Sequence, residues 1–431
     1  MSNIKKAIFN QYLNLNVRGL PLSATLAINE KSNQLRKEGK KVFKLGLGQS
    51  PFPVPESVVK ALQKNAFQKD YLPVKGLLEL REAVSAFNYK NERVHYSPEN
   101  IIIGPGSKEL IFLLQLVYYG DLIIPTPSWV SYSPQAKIIG RNVHWVKTKK
   151  ENQWRITPEK LEEICAPDPY RPRILILNYP SNPTGYSYPI ERLKLLAQVA
   201  RKYSVILISD EIYGNLHHNG QHVSIARFYP EGTIISSGLS KWCGAGGWRL
   251  GTFSFPDNLS WLVQALSVVA SETFTSTSAP IQYAAVEAFN GNDQIDDYLV
   301  SSRKILKSIA KFCTNKLTGI GVDIQQPTGG FYIFPDFSIY REKLAKLNIH
   351  SSQELCARIL NDTGVAMLPG SDFGCSDTEL TCRIAYVDFD GENALKQIKL
   401  NDDIDSSFVT NYCPNIAQAF ELLENWFLDL K

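Results

Sequence analysis

Continuous runs of apolar residues recur through the middle of the chain, separated by longer segments that are compatible with helices. These runs do not alternate between apolar and polar residues, so each predicts a strand that is buried on both faces. Buried strands that alternate with helices indicate an α/β fold, with a mostly parallel central sheet flanked by helices. The runs lie at residues 101–103, 122–124, 173–177, 205–208 and 233–235.

The two ends of the chain follow a different pattern. Residues 30–41 predict a charged helix, and residues 46–55, which contain three prolines, predict a loop that crosses between domains. From about residue 290 long polar helices flank short strands, which indicates a second, smaller α+β domain completed by the N-terminal segment. The predicted divisions are an N-terminal segment at 1–48, a large domain at 49–290, a small domain at 291–431 and, within it, a non-periodic surface excursion at 401–415.

Composition and charge narrow the possible classes of function. A chain of 431 residues exceeds what one hydrophobic core usually serves, so two domains are expected. The net charge of +4 is too small to indicate a nucleic-acid or membrane partner. The seven cysteines lack metal-site spacing, and the N-terminus lacks the apolar run of a secretory signal. These features favour a cytoplasmic protein with reduced thiols.

The most informative polar residue is Lys241, which lies in the segment Ser-Gly-Leu-Ser-Lys-Trp-Cys-Gly-Ala-Gly-Gly-Trp-Arg-Leu-Gly at residues 237–251. A lysine that forms a Schiff base needs close backbone approach, little steric bulk and a nearby cation that binds an anion. The glycines, the hydroxyls and Arg249 supply these conditions. A surface lysine in a glycine loop, which is the alternative, needs none of them. The indicated cofactor is pyridoxal 5′-phosphate, whose aldehyde binds lysine.

That cofactor also needs a carboxylate for its pyridine nitrogen, donors for its phenolic oxygen and a flat partner for its ring. Residues that follow the predicted strands meet these needs, at the edge where open α/β sheets bind ligands. The candidates, in the order of the three needs, are Asp210, then Asn182 with Tyr213, then Trp129. Each has a structural alternative. Asp210 could cap a helix, Asn182 could form a turn, and either aromatic residue could lie in the core.

The phosphate group needs backbone amides, hydroxyls and a cation. The segment Gly-Pro-Gly-Ser-Lys-Glu at residues 104–109 lies between a predicted strand and a predicted helix, where free amides can hold a dianion. It lacks the third glycine of a dinucleotide-binding fingerprint, which disfavours a nucleotide-dependent dehydrogenase. For the cation, Arg249, the structural alternative is a salt bridge on a helix surface. The candidates are Ser107, Lys108, Arg249 and a hydroxyl of residues 237–240, with Ser240 selected.

Arg383 lies in the apolar, strand-like run Thr-Cys-Arg-Ile-Ala at residues 381–385. A buried arginine normally has an anion as its partner, which is either the α-carboxylate of a substrate or a carboxylate of the protein. The histidines at positions 217, 218 and 222 have no carboxylate or cysteine at ligand spacing, so no metal site is predicted.

Taken in order, these segments resemble the class I and II aminotransferases of pyridoxal-phosphate fold type I, the group of aspartate aminotransferase. The likeness covers roughly residues 25–395. It is carried by the lysine segment from Ser240 to Gly251, by Asn-Pro-Thr-Gly at 182–185, Asp-Glu-Ile-Tyr at 210–213, Arg383, and Tyr-Leu-Pro-Val-Lys-Gly at 71–76.

The resemblance implies a homodimer with active sites at the subunit interface, acting on amino acids and 2-oxo acids. Lys241 would form the Schiff base and move the proton. Asp210 would pair with the pyridine nitrogen, and Arg383 would bind the substrate carboxylate.

The same resemblance places Gly48 and Asn182 near the substrate. It implies that Tyr71 and a hydroxyl of residues 275–278 act across the dimer. One departure is Gly238, because many members carry a serine at this position, three residues before the lysine. Which hydroxyl reaches the phosphate therefore stays open.

The implied reaction is ping-pong transamination between an L-amino acid and a 2-oxo acid, of the aspartate or aromatic type. One alternative is another reaction on the same scaffold, by a β-lyase, a synthase or a decarboxylase. Arg383 disfavours decarboxylation because it retains the carboxylate. A second alternative is a non-catalytic sensor, which would need a DNA-binding module that residues 1–45 are too short and too weakly basic to form.

Overall fold

The computed structural model describes residues 13–399 and 406–430, whose strands form three sheets. In chain order these strands are β1 Phe43–Lys44, β2 Ile101–Gly104, β3 Asp121–Thr126, β4 Val143–Lys147, β5 Arg173–Asn178, β6 Ile206–Asp210, β7 Thr233–Gly238, β8 Gly251–Ser254, β9 Tyr332–Ile333, β10 Val365–Ala366, β11 Leu368–Pro369 and β12 Cys382–Ala385.

Seven strands form the central sheet, in the order β2-β8-β7-β6-β5-β3-β4. Strands β3 to β7 pair in parallel, and β8 runs antiparallel to both of its neighbours. Every residue of β2 and of β6 is buried, as expected for strands that are covered on both faces. The predicted α/β fold with a mostly parallel sheet is confirmed.

Helices cover both faces of this sheet. Successive side chains of a strand point to opposite faces, so alternate residues pack against different helices. In β5, Ile174 and Ile176 pack in the core cluster that contains the helices at 107–117 and 260–273, whereas Leu175 and Leu177 pack in the cluster of the helices at 158–165 and 190–202. The described helices are α1 Ala24–Lys37, α2 Glu56–Asn65, α3 Leu78–Glu92, α4 Ser107–Val117, α5 Tyr132–Ile138, α6 Pro158–Cys165, α7 Ile190–Lys202, α8 Ser260–Thr273, α9 Ala279–Asn290, α10 Asp293–Gly319, α11 Arg341–Lys346, α12 Ser352–Thr363, α13 Gly391–Ile398, α14 Ser406–Tyr412 and α15 Pro414–Leu428.

The N-terminal segment contacts the C-terminal part of the chain directly. Strand β1 pairs in parallel with β10, so that Phe43 lies opposite Val365. Beside them, β11, β12 and β9 form an antiparallel sheet in that order. The predicted domain boundaries fall in the loop before α2 and at the end of α9, and they stay predictions. Within the described residues, no helix has both the length and the apolar character needed to cross a membrane.

The prediction of a surface excursion at 401–415 is wrong for residues 406–415; residues 401–405 lie outside the described residues. Helix α14 and the start of α15 occupy this stretch. Phe408, Val409 and Cys413 are buried in the main core cluster, whereas Asn411 is exposed. These apolar positions are spaced by one and four residues, which is a helical stripe too short to stand out in the sequence.

We expect Phe408→Ala to lower the free energy of unfolding by about 3–5 kcal/mol, the usual cost of truncating a phenylalanine in a packed core. Phe408 is 3% exposed and contacts the ring of Tyr412 at a centroid distance of 5.0 Å. Denaturant unfolding followed by circular dichroism measures this loss. Asn411→Ala, on the exposed face of the same helix, is the control, and equal stability of the two variants would place α14 outside the core.

Candidate active site

A cavity of about 450 Å³ lies at the carboxyl end of the central sheet. Because β3, β5, β6 and β7 are parallel, the residues that follow them meet at this one edge. All but one of the predicted site residues line it, together with Tyr132 and Tyr332. The predicted residues that line the cavity are Gly48, Ser107, Lys108, Trp129, Asn182, Asp210, Tyr213, Ser240, Lys241, Arg249 and Arg383.

Asp210 is the last residue of β6, and its carboxylate is buried at the bottom of the site, with 3% of its surface exposed. The hydroxyl of Tyr132 donates to Oδ2 at 2.5 Å, and the hydroxyl of Ser236 donates to Oδ1 at 3.3 Å. Burial raises the pKa of Asp210 to about 6, while these hydrogen bonds act in the opposite direction. Asp210 does not cap a helix, so the structural alternative for this residue is not adopted.

Lys241 follows β7, and its ammonium group donates to the carbonyl oxygen of Gly48 at 2.7 Å. Burial, followed by the positive charges of Arg383 and Arg249, lowers the pKa of Lys241 to about 8. This amine therefore loses its proton closer to neutral pH than an exposed lysine does. The neutral amine is the form that acts as a nucleophile or a base.

Arg383 lies in β12 and is completely buried. It donates to Oδ1 of Asn182 at 2.9 Å and to the carbonyl oxygen of Gly46, and its Nε has no hydrogen-bond partner among the described residues. Both of these hydrogen-bond partners are neutral. A protein carboxylate was the alternative for this arginine, and Asp372 is close enough for its negative charge to favour the ionised guanidinium, although the two form no salt bridge within the described residues. A buried charge whose hydrogen-bond partners are all neutral is costly, so a carboxylate ligand would stabilise it.

Two tyrosines lie between these charged groups. The hydroxyls of Tyr213 and Tyr332 are 2.8 Å apart, and the amide nitrogen of Asn182 lies 3.5 Å from the Tyr332 hydroxyl. A Cβ atom at Gly48 would lie 1.7 Å from that hydroxyl, so only glycine fits there. Asn182 and Tyr213 thus both present polar groups to the hydroxyl of Tyr332, and their predicted role at the cofactor stays a prediction.

The turn before α4 forms a cradle for an anion. Gly106 has a φ of +94°, and a Cβ atom there would lie 2.2 Å from Nη2 of Arg249. The guanidinium donates to the carbonyls of Gly246 and Pro105 at 3.0 and 3.2 Å, so it is held by neutral groups rather than in a surface salt bridge. The helix start and the guanidinium together suit a phosphate.

Lys108 and Trp129 border this cradle. The ammonium of Lys108 lies 5.6 Å from the centre of the Trp129 ring. Burial and the positive charge of Arg249 lower the pKa of Lys108. Of the hydroxyls near the lysine segment, Ser240 lines the cavity, whereas a Cβ atom at Gly238 would face the carbonyl of Leu250 at 2.6 Å.

Tyr71 is the predicted site residue that the structure does not bring into the cavity. It is 88% exposed and lies in the loop before α3. Residues 275–278 do not line the cavity either. Their predicted role belongs to a neighbouring subunit and stays a prediction.

Sequence reasoning missed Tyr132, Tyr332 and Gly46. Tyr132 follows Trp129 by three residues and begins α5, and Tyr332 follows the pair Gly329-Gly330. The available signals were the short distance along the chain from Tyr132 to a predicted site residue, and from Tyr332 to a glycine pair. Gly46 acts through its backbone carbonyl, so its sequence position carries no signal for its contact with Arg383.

A buried polar cluster lies behind the site, where ligand atoms of Glu92, Glu211 and His222 come within 4.8 Å of one another. The Glu211 carboxylate accepts a hydrogen bond from Ser209 and is paired with His222 at 2.9 Å. Glu92 is paired with Arg227 at 2.9 Å. These contacts explain the cluster as a structural network of the protein, and the predicted absence of a metal site stays a prediction.

Comparison with known proteins identifies the family. The family model for aminotransferase class I and II matches residues 40–394. The chain is 35% identical over 380 residues to an aspartate aminotransferase of Geobacillus stearothermophilus, covering 86% of this chain and 93% of that protein. It is 31% identical to an aspartate/prephenate aminotransferase of Thermus thermophilus, over 84% of this chain and 91% of that protein.

Solved structures agree with this result. An aspartate aminotransferase from Thermus thermophilus with maleate superposes with a TM-score of 0.82 at 29% identity, covering 96% of this chain and 99% of that one. The match confirms the predicted fold, and the resemblance noted in the sequence is confirmed over most of its length. The chain therefore belongs to the class I and II aminotransferases and is a transferase that moves amino groups.

Proposed function

We propose that this protein uses pyridoxal 5′-phosphate to transfer the amino group of an aspartate-type L-amino acid to a 2-oxo acid. The observation that carries the proposal is the convergence of three charged groups on one cavity. These are the amine of Lys241, the carboxylate of Asp210 and the guanidinium of Arg383. The named relatives, which are aspartate aminotransferases, support the choice of substrate.

The donors around the cavity fit the cofactor. The lack of a side chain at Gly106 lets the guanidinium of Arg249 lie against this turn, since a Cβ atom there would clash with it. Arg249, Ser107 and Ser240 would hold the phosphate, and Asp210 would pair with the pyridine nitrogen. Asn182 and Tyr213 would bind the phenolic oxygen, and Trp129 would cover the ring. When bound, the cofactor supplies an electron sink for the pair released at the substrate Cα.

The chain's own residues would then bind the substrate and move a proton. Arg383 would hold the α-carboxylate through its planar guanidinium, which fixes the orientation of the bond at Cα. Lys241 would take the Cα proton on Nζ as a general base, and would then give that proton up again as a general acid. Its lowered pKa of about 8 suits both directions near neutral pH.

Lys108 is the cation that remains for the side chain of a dicarboxylic substrate. Of the positively charged residues that line the cavity, Lys241, Arg249 and Arg383 already have roles in this proposal. Lys108 also lines a neighbouring, largely apolar cavity of about 870 Å³. That cavity would accommodate an aromatic side chain, which makes an aromatic-type substrate the second candidate.

The proposal includes a homodimer in the cytoplasm, with domains at the predicted boundaries. Tyr71, Phe67 and Leu78 are exposed apolar or aromatic residues close together along the chain, which would be covered by a second subunit. None of the seven cysteines forms a disulfide within the described residues, in keeping with a reducing compartment.

We expect Lys241→Ala to abolish covalent attachment of pyridoxal 5′-phosphate and all transamination. Borohydride reduction followed by intact mass spectrometry measures the attachment. In the unmodified protein the rate of attachment should rise with pH through about 8, because the neutral amine is the reactive form. Lys90→Ala, at an exposed position, is the control. Retained attachment in Lys241→Ala would refute the assignment.

We expect Arg383→Lys to lower kcat/KM for aspartate by about a hundredfold or more, because an ammonium cannot make the bidentate contact with a carboxylate. The matched comparison is the α-amide of the same amino acid, which lacks the charge that Arg383 would bind. Steady-state or half-reaction kinetics give the change in kcat/KM for each of the two compounds. An equal loss with the two compounds would assign Arg383 a structural role.

We expect Lys108→Met to lower kcat/KM for aspartate by about tenfold to a hundredfold while changing that for phenylalanine much less, since only aspartate carries a second carboxylate. The affinity for the cofactor is measured in parallel. A loss of cofactor affinity with equal effects on both substrates would instead place Lys108 on the phosphate, as the sequence predicts.

A further inference from the structure

Tyr132 makes the shortest contact to the carboxylate at the bottom of the site. Its hydroxyl donates to Oδ2 of Asp210 at 2.5 Å, and both side chains are buried, with 2% and 3% of their surfaces exposed. The two residues come from different elements, since Tyr132 begins α5 and Asp210 ends β6. A hydrogen bond between a phenol and a buried carboxylate is among the stronger contacts in a protein.

We propose that Tyr132 is a positioning residue for the cofactor, which keeps the carboxylate of Asp210 ionised and aimed at the pyridine nitrogen. The inference rests on the proposed function, because it assumes that Asp210 meets the nitrogen of pyridoxal 5′-phosphate. It adds a residue outside the predicted site and a specific consequence, which is control of the pH range of cofactor binding.

Among the groups around Asp210, Tyr132 is the main donor that keeps its carboxylate ionised. Ser236 donates to the other carboxylate oxygen over the longer distance of 3.3 Å. The amide of Ile212 also donates to the carboxylate, while the negative charge of Glu211 raises its pKa. The remaining titratable neighbours that interact with Asp210 are the amine of Lys241, which favours the ionised carboxylate, and the phenol of Tyr213.

The direction of proton donation is fixed by burial. Burial and the nearby Asp210 charge raise the pKa of Tyr132 well above its ordinary value, so the phenol keeps its proton and donates it. Burial also raises the pKa of Asp210 to about 6, and the hydrogen bond from Tyr132 is the largest effect that opposes this rise. Without that donor, Asp210 would become protonated at a higher pH.

Tyr132 also contacts the residue assigned to the cofactor ring. The rings of Trp129 and Tyr132 meet edge to face, with centroids 5.1 Å apart and an angle of 83° between their planes. One short segment therefore supplies both the ring partner and the donor to the carboxylate. Tyr132→Phe preserves the ring contact and removes only the donor, which separates the two effects.

The test is the affinity of the full-length protein for pyridoxal 5′-phosphate as a function of pH. We expect Tyr132→Phe to weaken binding by about tenfold or more near neutral pH, the usual effect of losing a hydrogen bond to a charged group. We also expect the pH below which binding weakens to move upward by about one unit. Tyr118→Phe, which removes a buried hydroxyl that bonds to a backbone carbonyl, is the matched control.

A second variant strengthens the hydrogen bond that Tyr132→Phe removes. Replacing Tyr132 by 3-fluorotyrosine makes the phenol more acidic and thus a stronger donor at nearly the same size, so the weakening of binding should move to lower pH. This variant also serves if Tyr132→Phe does not fold, which thermal unfolding would reveal. A structural role alone would lower the unfolding temperature without moving the pH profile in opposite directions.

The outcomes distinguish a failure of the role of Tyr132 from a failure of the proposed function. Opposite shifts in the two variants, with Tyr118→Phe unchanged, support the role of Tyr132. Identical pH profiles in the unmodified protein and both Tyr132 variants overturn it while leaving the proposed function intact. If the unmodified protein does not bind pyridoxal 5′-phosphate at all, the proposed function itself fails, and the role of Tyr132 fails with it.

Discussion

Burial of charge at the carboxyl end of the central sheet is the constraint on which the site depends. Burial disfavours the charged form of Asp210, Lys241 and Arg383. The effect has opposite directions for an acid and a base, since the pKa of Asp210 rises to about 6 and that of Lys241 falls to about 8. Both groups therefore titrate closer to neutral pH than they would in water, as a proton-transfer site requires.

The N-terminal segment holds the two cations without neutralising them. Lys241 donates to the carbonyl of Gly48, and Arg383 donates to the carbonyl of Gly46. The loop that carries these carbonyls follows β1, which pairs with β10 in the C-terminal part of the chain. The site is thus closed by a loop anchored outside the central sheet, so the position of the cations depends on how the two parts of the chain pack together.

The sequence predicts the part of this site that follows from local patterns. The apolar runs place strand ends, and residues such as Asp210 follow those ends directly, so the edge of the sheet could be located before any coordinates. The contacts of Tyr132 with Asp210 and of Arg383 with Gly46 join residues 78 and 337 positions apart, and no local pattern encodes them. For the same reason the short apolar stripe of α14 was missed, because its burial is decided by packing against distant helices.

Arg383 is completely buried, yet its hydrogen-bond partners are neutral. A protein carboxylate at the same place would stabilise the folded protein more strongly, but a substrate would then have to displace a buried ion pair, which is costly. Carbonyl and amide oxygens satisfy some of the donors, and Nε has no hydrogen-bond partner among the described residues. The rings of Tyr332 and Phe373 and the charge of Asp372 offset the positive charge only in part, because none of them forms a salt bridge with it within the described residues. Under the proposed function, a substrate carboxylate would gain the attraction of this buried charge while displacing only neutral groups. The proposed function would thus account for an arginine in a strand whose other residues are apolar.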